Sequence, residues 1–96
     1  MIIPRKIDVL GIPYAVEEVD VVSRDGKEWG LIDYEKQTIR IDRALAPEKK
    51  CQVFIHELVH AILGNIGQYE WNDDESAVQS FAAALYHVLS TQAIFS

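Results

Sequence analysis

The sequence predicts an α+β domain: a small, mostly antiparallel sheet of three to four strands, followed by two helices. Three observations carry that expectation. β-Branched and aromatic residues, broken by Gly-Ile-Pro and Asp-Gly, fill the N-terminal half. Apolar residues at helical spacing fill the C-terminal half. The chain has 96 residues, enough for one small domain spanning 1–96 and not for two.

The strands come first. Lys6–Leu10 and Tyr14–Val21 flank the turn-like Gly11-Ile12-Pro13, and Val9, Ala15, Val19 and Val21 suit β structure. Ser23-Arg24-Asp25-Gly26-Lys27 reads as a polar turn. Trp29–Tyr34 and Thr38–Asp42 are two further strands around Glu35-Lys36. In the second of these, Ile39 and Ile41 alternate with Arg40 and Asp42, the period-2 pattern of a half-buried strand.

Pro47 then opens a helix, at the position where a missing N–H costs nothing. The helix is expected to run to about Leu63 and to stop at Gly64. Gly64–Trp71 reads as a loop, and a second helix as running from about Asn72 to Ser90.

Bulk properties exclude several classes. Hydrophobic residues make up 49% and charged residues 25%, a globular and not a disordered composition. The core is expected to be thin, so a bound metal would add appreciably to stability. The net charge of −6, without a basic stripe, argues against nucleic-acid binding. Cys51 is alone, so no intramolecular disulfide forms, which fits a reducing compartment. Met1–Lys6 lacks the apolar region of a signal peptide. No apolar run approaches the roughly 20 residues of a membrane span. The expected setting is cytoplasmic, with no membrane partner.

The chemistry concentrates in His56-Glu57-Leu58-Val59-His60, an H-E-x-x-H pattern. Histidines four apart on a helix share one face, with Cβ atoms roughly 6 Å apart. Both imidazoles can then reach one tetrahedral Zn²⁺ at about 2.0–2.1 Å. Glu57 is placed to take a proton from the attacking water. Every other side chain from Val53 to Leu63 is apolar, so the trio sits on a buried helix. Unpaired polar groups there cost roughly 1–3 kcal/mol each, and a metal would satisfy both histidines. The alternative is a pair of core histidines bonded to backbone carbonyls, with Glu57 exposed.

A third ligand must come from elsewhere. Where a metzincin would place a glycine and a third histidine, this chain has Leu63 and Ile66. Cys51 lies about 140° around the helix from His56 and reads better as a small buried hydrophobe. On the second helix Val78, Phe81, Ala82, Leu85, Val88 and Leu89 form a core-facing stripe, which Glu75 extends toward the N-terminus. Glu75 is the leading candidate, ahead of Asp74 and Asp73. The competing role is a capping box, with Asn72 as N-cap and Glu75 three residues on. His87 lies roughly 18 Å further along the helix axis, too far to share a site with Glu75.

His56–Gly64, "HELVHAILG", resembles the active-site helix of gluzincin-like zinc peptidases of the ImmA/IrrE type, which are common in phages and mobile elements. Their third ligand is a glutamate opening a helix of the form E-x-x-A-N-x-F-A. Glu75-Ser-Ala-Val-Gln-Ser-Phe-Ala matches at Glu75, Phe81 and Ala82 and departs at Val78 and Gln79. Gly30–Asp42 is similar to the family's strand pair before the helix, so the likeness covers about residues 30–90. It implies a minimal phage or prophage zincin-like domain, with His56, His60 and Glu75 on zinc and Glu57 as general base. It also implies cleavage of a protein or peptide, such as a phage or mobile-element regulatory protein.

Two further expectations concern substrate. Tyr69, Tyr86 and His87 are candidate oxyanion donors. Thr38–Asp42 is the expected edge strand, which would pair with an extended peptide by β-augmentation. The rival reading is a non-catalytic phage accessory binding module with a structural zinc site.

Overall fold

The computed structural model describes residues 1–23, 26 and 28–92. Four strands, β1 (Lys6–Val9), β2 (Ile12–Val19), β3 (Gly30–Asp33) and β4 (Thr38–Asp42), precede the helices α1 (Pro47–Asn65), α2 (Tyr69–Asp73) and α3 (Glu75–Gln92). The α+β class follows the sequence expectation. The polar turn around Arg24, Asp25 and Lys27 lies outside the described residues.

The sheet has the order β1-β2-β4-β3. β1–β2 and β3–β4 are antiparallel hairpins, whereas β2 and β4 pair in parallel. The sheet is therefore mixed, and less antiparallel than the sequence suggested. The first hairpin turns at Leu10-Gly11, both with positive φ, and not at Gly11-Ile12-Pro13. Positive φ at both central residues matches the right-handed twist of the flanking strands, so Ile12 and Pro13 already belong to β2. Asp8 secures the turn by accepting a 2.7 Å hydrogen bond from the Gly11 N–H.

The topology overturns one expectation about substrate. Thr38–Asp42 is not an edge: β4 lies between β2 and β3, and both its flanks are paired. The edge on that side is β3. Ile39 and Ile41, the alternating pair of β4, are completely buried. A strand with both flanks paired and one face apolar belongs in the middle of a sheet.

α1 is apolar on nearly every side because it is covered on two. Its inner face meets the sheet, and α3 packs on its outer side. Val53, Phe54, Ile55, Val59, Ala61 and Leu63 join Tyr14, Val16, Ile39 and Ile41 in one core. Pro47 occupies the first turn, as expected.

The end of α1 differs from expectation. The helix passes through Gly64 to Asn65, and Gly67, with φ +79°, takes the left-handed position beyond it. Gln68 N–H bonds Leu63 C=O at 3.0 Å and Gly67 N–H bonds Gly64 C=O at 3.4 Å. That pair is a Schellman closure. Gly64 serves another purpose: a Cβ there would lie 2.7 Å from the Tyr34 ring.

The expected Gly64–Trp71 loop is partly helical, since α2 begins at Tyr69. Asp74 breaks the chain between α2 and α3 with an extended backbone. Its Oδ1 accepts from Ala77 N–H at 3.0 Å, so Asp74, and not Asn72, caps α3.

Candidate metal centre

α1 directs His56, Glu57 and His60 into a cleft bounded by β3 on one side and by α2 and the start of α3 on the other. The cleft has a volume of about 640 Å³. Gly30 lets β3 approach α1 closely, because any side chain there would collide with Val53 and crowd Glu57. One backbone position thus sets how near the sheet edge comes to the helix.

Glu75 is the first residue of α3, and Asp74 performs the capping that the sequence allowed to either. Freed from capping, Glu75 reaches both histidines. Its Oε1 lies 2.7 Å from His60 Nε2 and its Oε2 lies 3.3 Å from His56 Nε2. One ligand atom from each residue lies within 4.8 Å of the others. Ligand atoms around a tetrahedral ion with bonds of about 2.0–2.1 Å stand about 3.3 Å apart. The three residues therefore fit a single cation, and the set of two imidazoles and a carboxylate suits a first-row divalent ion.

The far side of each imidazole is also specified. His56 Nδ1 lies 2.7 Å from Gln79 Oε1, and His60 Nδ1 lies 2.6 Å from Asn72 Oδ1. Amide oxygens only accept, so each Nδ1 carries a proton and each Nε2 is left for an ion. Tyr34 completes the His60 side. Its hydroxyl donates to the His60 backbone carbonyl at 2.8 Å and accepts from Asn72 Nδ2 at 2.9 Å. Burial raises the Tyr34 pKa, while the Asn72 hydrogen bond opposes that shift. The phenol thus stays a proton donor at neutral pH.

Glu57 stands apart from this cluster. It is only 7% exposed, lines the same cleft, and has no hydrogen-bond partner among the described residues. Burial raises its pKa, against the lowering effect of His56 and His60. It is a carboxyl held at the cleft wall.

The structure brings together His56, Glu57, His60 and Glu75, all singled out from sequence. It separates the others. Asp74 caps α3, and Asp73 lies exposed on the cleft rim. Cys51 is buried outside the cleft, with Sγ 3.5 Å from the Met1 carbonyl oxygen. Tyr69, Tyr86 and His87, the expected oxyanion donors, do not line the cleft. Tyr69 is exposed on α2, and the other two lie too far along α3.

Sequence reasoning missed Tyr34, Asn72 and Gln79 as partners of the site. Gln79 was within reach: it lies one helical turn beyond Glu75 on the same face. Asking what would hold the Nδ1 atoms of two ligating histidines points to it. Tyr34 left no such trace, since 26 residues separate it from His60. Among the described residues no helix is long and apolar enough to cross a membrane. Comparison with protein-family models, curated proteins and solved structures gave no significant match.

Proposed function

We propose that the chain is a zinc-dependent metalloendopeptidase domain, of the ImmA/IrrE-like gluzincin kind, acting on an extended protein or peptide segment. Glu57 is the observation that carries this proposal. A purely structural zinc needs its ligands and nothing more. Here a fourth group, 7% exposed and without a hydrogen-bond partner among the described residues, faces the cleft beside the ligand cluster without joining it. A buried carboxyl with a raised pKa is what general-base chemistry near neutral pH requires.

His56, His60 and Glu75 would hold the ion through Nε2, Nε2 and a carboxylate oxygen. When bound, zinc supplies a Lewis acid that polarises a carbonyl and brings the pKa of water toward about 7. Glu57 takes the proton of the attacking water and delivers it to the leaving amine. Gln79 and Asn72 hold the imidazoles in the tautomer that leaves Nε2 bare.

β3 supports an extended substrate. The Trp29 carbonyl accepts from Asp42 N–H, so Trp29, Leu31 and Asp33 direct their backbone groups toward β4. Gly30 and Ile32 then direct theirs to the open edge, and both residues line the cleft. A peptide pairing with that edge would lie alongside Glu57.

The test is Glu57→Gln. Purified wild type loaded with zinc should cut a randomised peptide library, read by mass spectrometry. The variant should bind zinc equally and cut nothing. Equal cleavage by the variant would remove Glu57 from the chemistry. Zinc-dependent stabilisation with no cleavage by either protein would favour a structural zinc in a binding module.

A further inference from the structure

We infer that Tyr34 is a positioning residue for the metal centre: it sets which nitrogen of His60 faces the ion, acting through Asn72. The inference rests on the metal-site assignment above and adds a residue from the sheet to it.

The direction of each hydrogen bond follows from the one before. The backbone carbonyl of His60 only accepts, so the single proton of the Tyr34 hydroxyl points to it, across 2.8 Å. The phenol oxygen is then an acceptor toward Asn72, 2.9 Å away, and only the NH₂ end of that amide can meet it. Turning NH₂ toward Tyr34 turns Oδ1 toward His60 Nδ1, at 2.6 Å. Oδ1 needs a donor, so Nδ1 holds the ring proton. Nε2 is then the nitrogen that would turn its lone pair to the ion, and it lies 2.7 Å from Glu75 Oε1.

Without the hydroxyl, the Asn72 amide keeps no partner but His60 among the described residues, and nothing there prefers one orientation over the other. Flipped, its NH₂ would face Nδ1 and favour a proton on Nε2, where the ion must bind. His56 has no equivalent device, because Gln79 Nε2 has no partner among the described residues. One ligand is therefore oriented by a chain of three groups and the other by a single amide. Gly64 belongs to the first arrangement, since the Tyr34 ring lies where its Cβ would be.

Tyr34→Phe removes the hydroxyl and keeps the ring on Gly64, so the fold should survive. Its zinc affinity, measured by competition with a chromogenic chelator, should fall about 10–100-fold, the usual effect of losing a group that orients a metal ligand. Asn72→Asp supplies the decisive control. A carboxylate accepts at either oxygen and needs no hydroxyl to orient it. The double variant Tyr34→Phe/Asn72→Asp should therefore bind zinc as Asn72→Asp does alone. A second measurement needs no metal: the His60 Nδ1–H resonance by NMR, with and without zinc. It should be protected from exchange in wild type, lost in Tyr34→Phe, and regained in the double variant.

Wild-type affinity and an unchanged resonance in Tyr34→Phe would overturn the inference. So would a loss that the added Asn72→Asp substitution fails to restore, since that is what a packing role predicts. If the wild type takes up no zinc, the peptidase proposal falls, and the resonance alone decides the role of Tyr34.

Discussion

α1 and α3 are of nearly equal length, 19 and 18 residues, and they are held in place by opposite means. α1 has nine buried residues, seven of them apolar or cysteine, and lies between the sheet and α3. α3 buries only Val78 and Ala82. Its N-terminal end instead meets α1 through polar atoms, Glu75 and Gln79 against His56 and His60. The difference assigns two kinds of work. The apolar helix fixes the fold and supplies the histidines. The half-exposed helix completes the site, and it meets α1 through the groups that would bind the ion as well as through Val78 and Ala82.

The largest effect is expected on the apolar side of this contrast. Phe54 is 3% exposed within the core. Phe54→Ala should destabilise the whole domain by about 3–5 kcal/mol, through lost burial and the cavity left behind. For a domain of this size that is a large share of the total stability. Urea denaturation should show one transition at a lower midpoint, with sheet and helices melting together. A loss below about 1 kcal/mol would mean that α1 is not the organising element.

The next effect sits on the polar side. Zinc that binds the folded protein alone stabilises it by about 2.7 kcal/mol at a free concentration one hundred times its Kd. Most of the added protection should fall on the amides at the start of α3, where Glu75 would tie the helix to the ion. Glu75→Gln removes the carboxylate but keeps its shape, so zinc should no longer raise the melting temperature. Hydrogen exchange should find α1 nearly as protected as before and the first turns of α3 less so. Uniform protection by zinc across both helices would erase the distinction between them.

The same contrast governs what the sequence made legible. Elements whose burial follows from their own periodicity were readable. Ile39 and Ile41 on β4, Pro47 at the start of α1 and the apolar run from Val53 to Leu63 all lie as expected. His56, Glu57 and His60 needed only helical spacing, and Glu75 followed from its place one turn before Val78. Features set by a partner distant in sequence were not readable. The parallel pairing of β2 with β4 placed Thr38–Asp42 inside the sheet and made β3 the edge. Gly64 looked like a helix stop, but its size answers to the Tyr34 ring, which comes from another element. Asn72 looked like a cap until Asp74 took that position and left its amide to His60.

Periodicity also overstated the core, and that gives the smallest effect. Val88 falls on the same helical stripe as Val78, so spacing alone puts both inside. The distal part of α3 is covered only in part: Val78 is completely buried, Leu85 and Leu89 are partly buried against the core, and Val88 is 44% exposed. The same substitution at the two positions should therefore separate them. Val88→Ser loses little burial, and valine and serine have similar helix propensities, so the change should stay within about 0.5 kcal/mol. Val78→Ser removes apolar contact and buries a hydroxyl in the core, and should cost at least about 1.5–3 kcal/mol. Equal losses in thermal or urea denaturation would mean that α3 is clamped along its full length. A loss confined to Val78 would place the hold on α3 within its first two turns, beside Glu75 and Gln79.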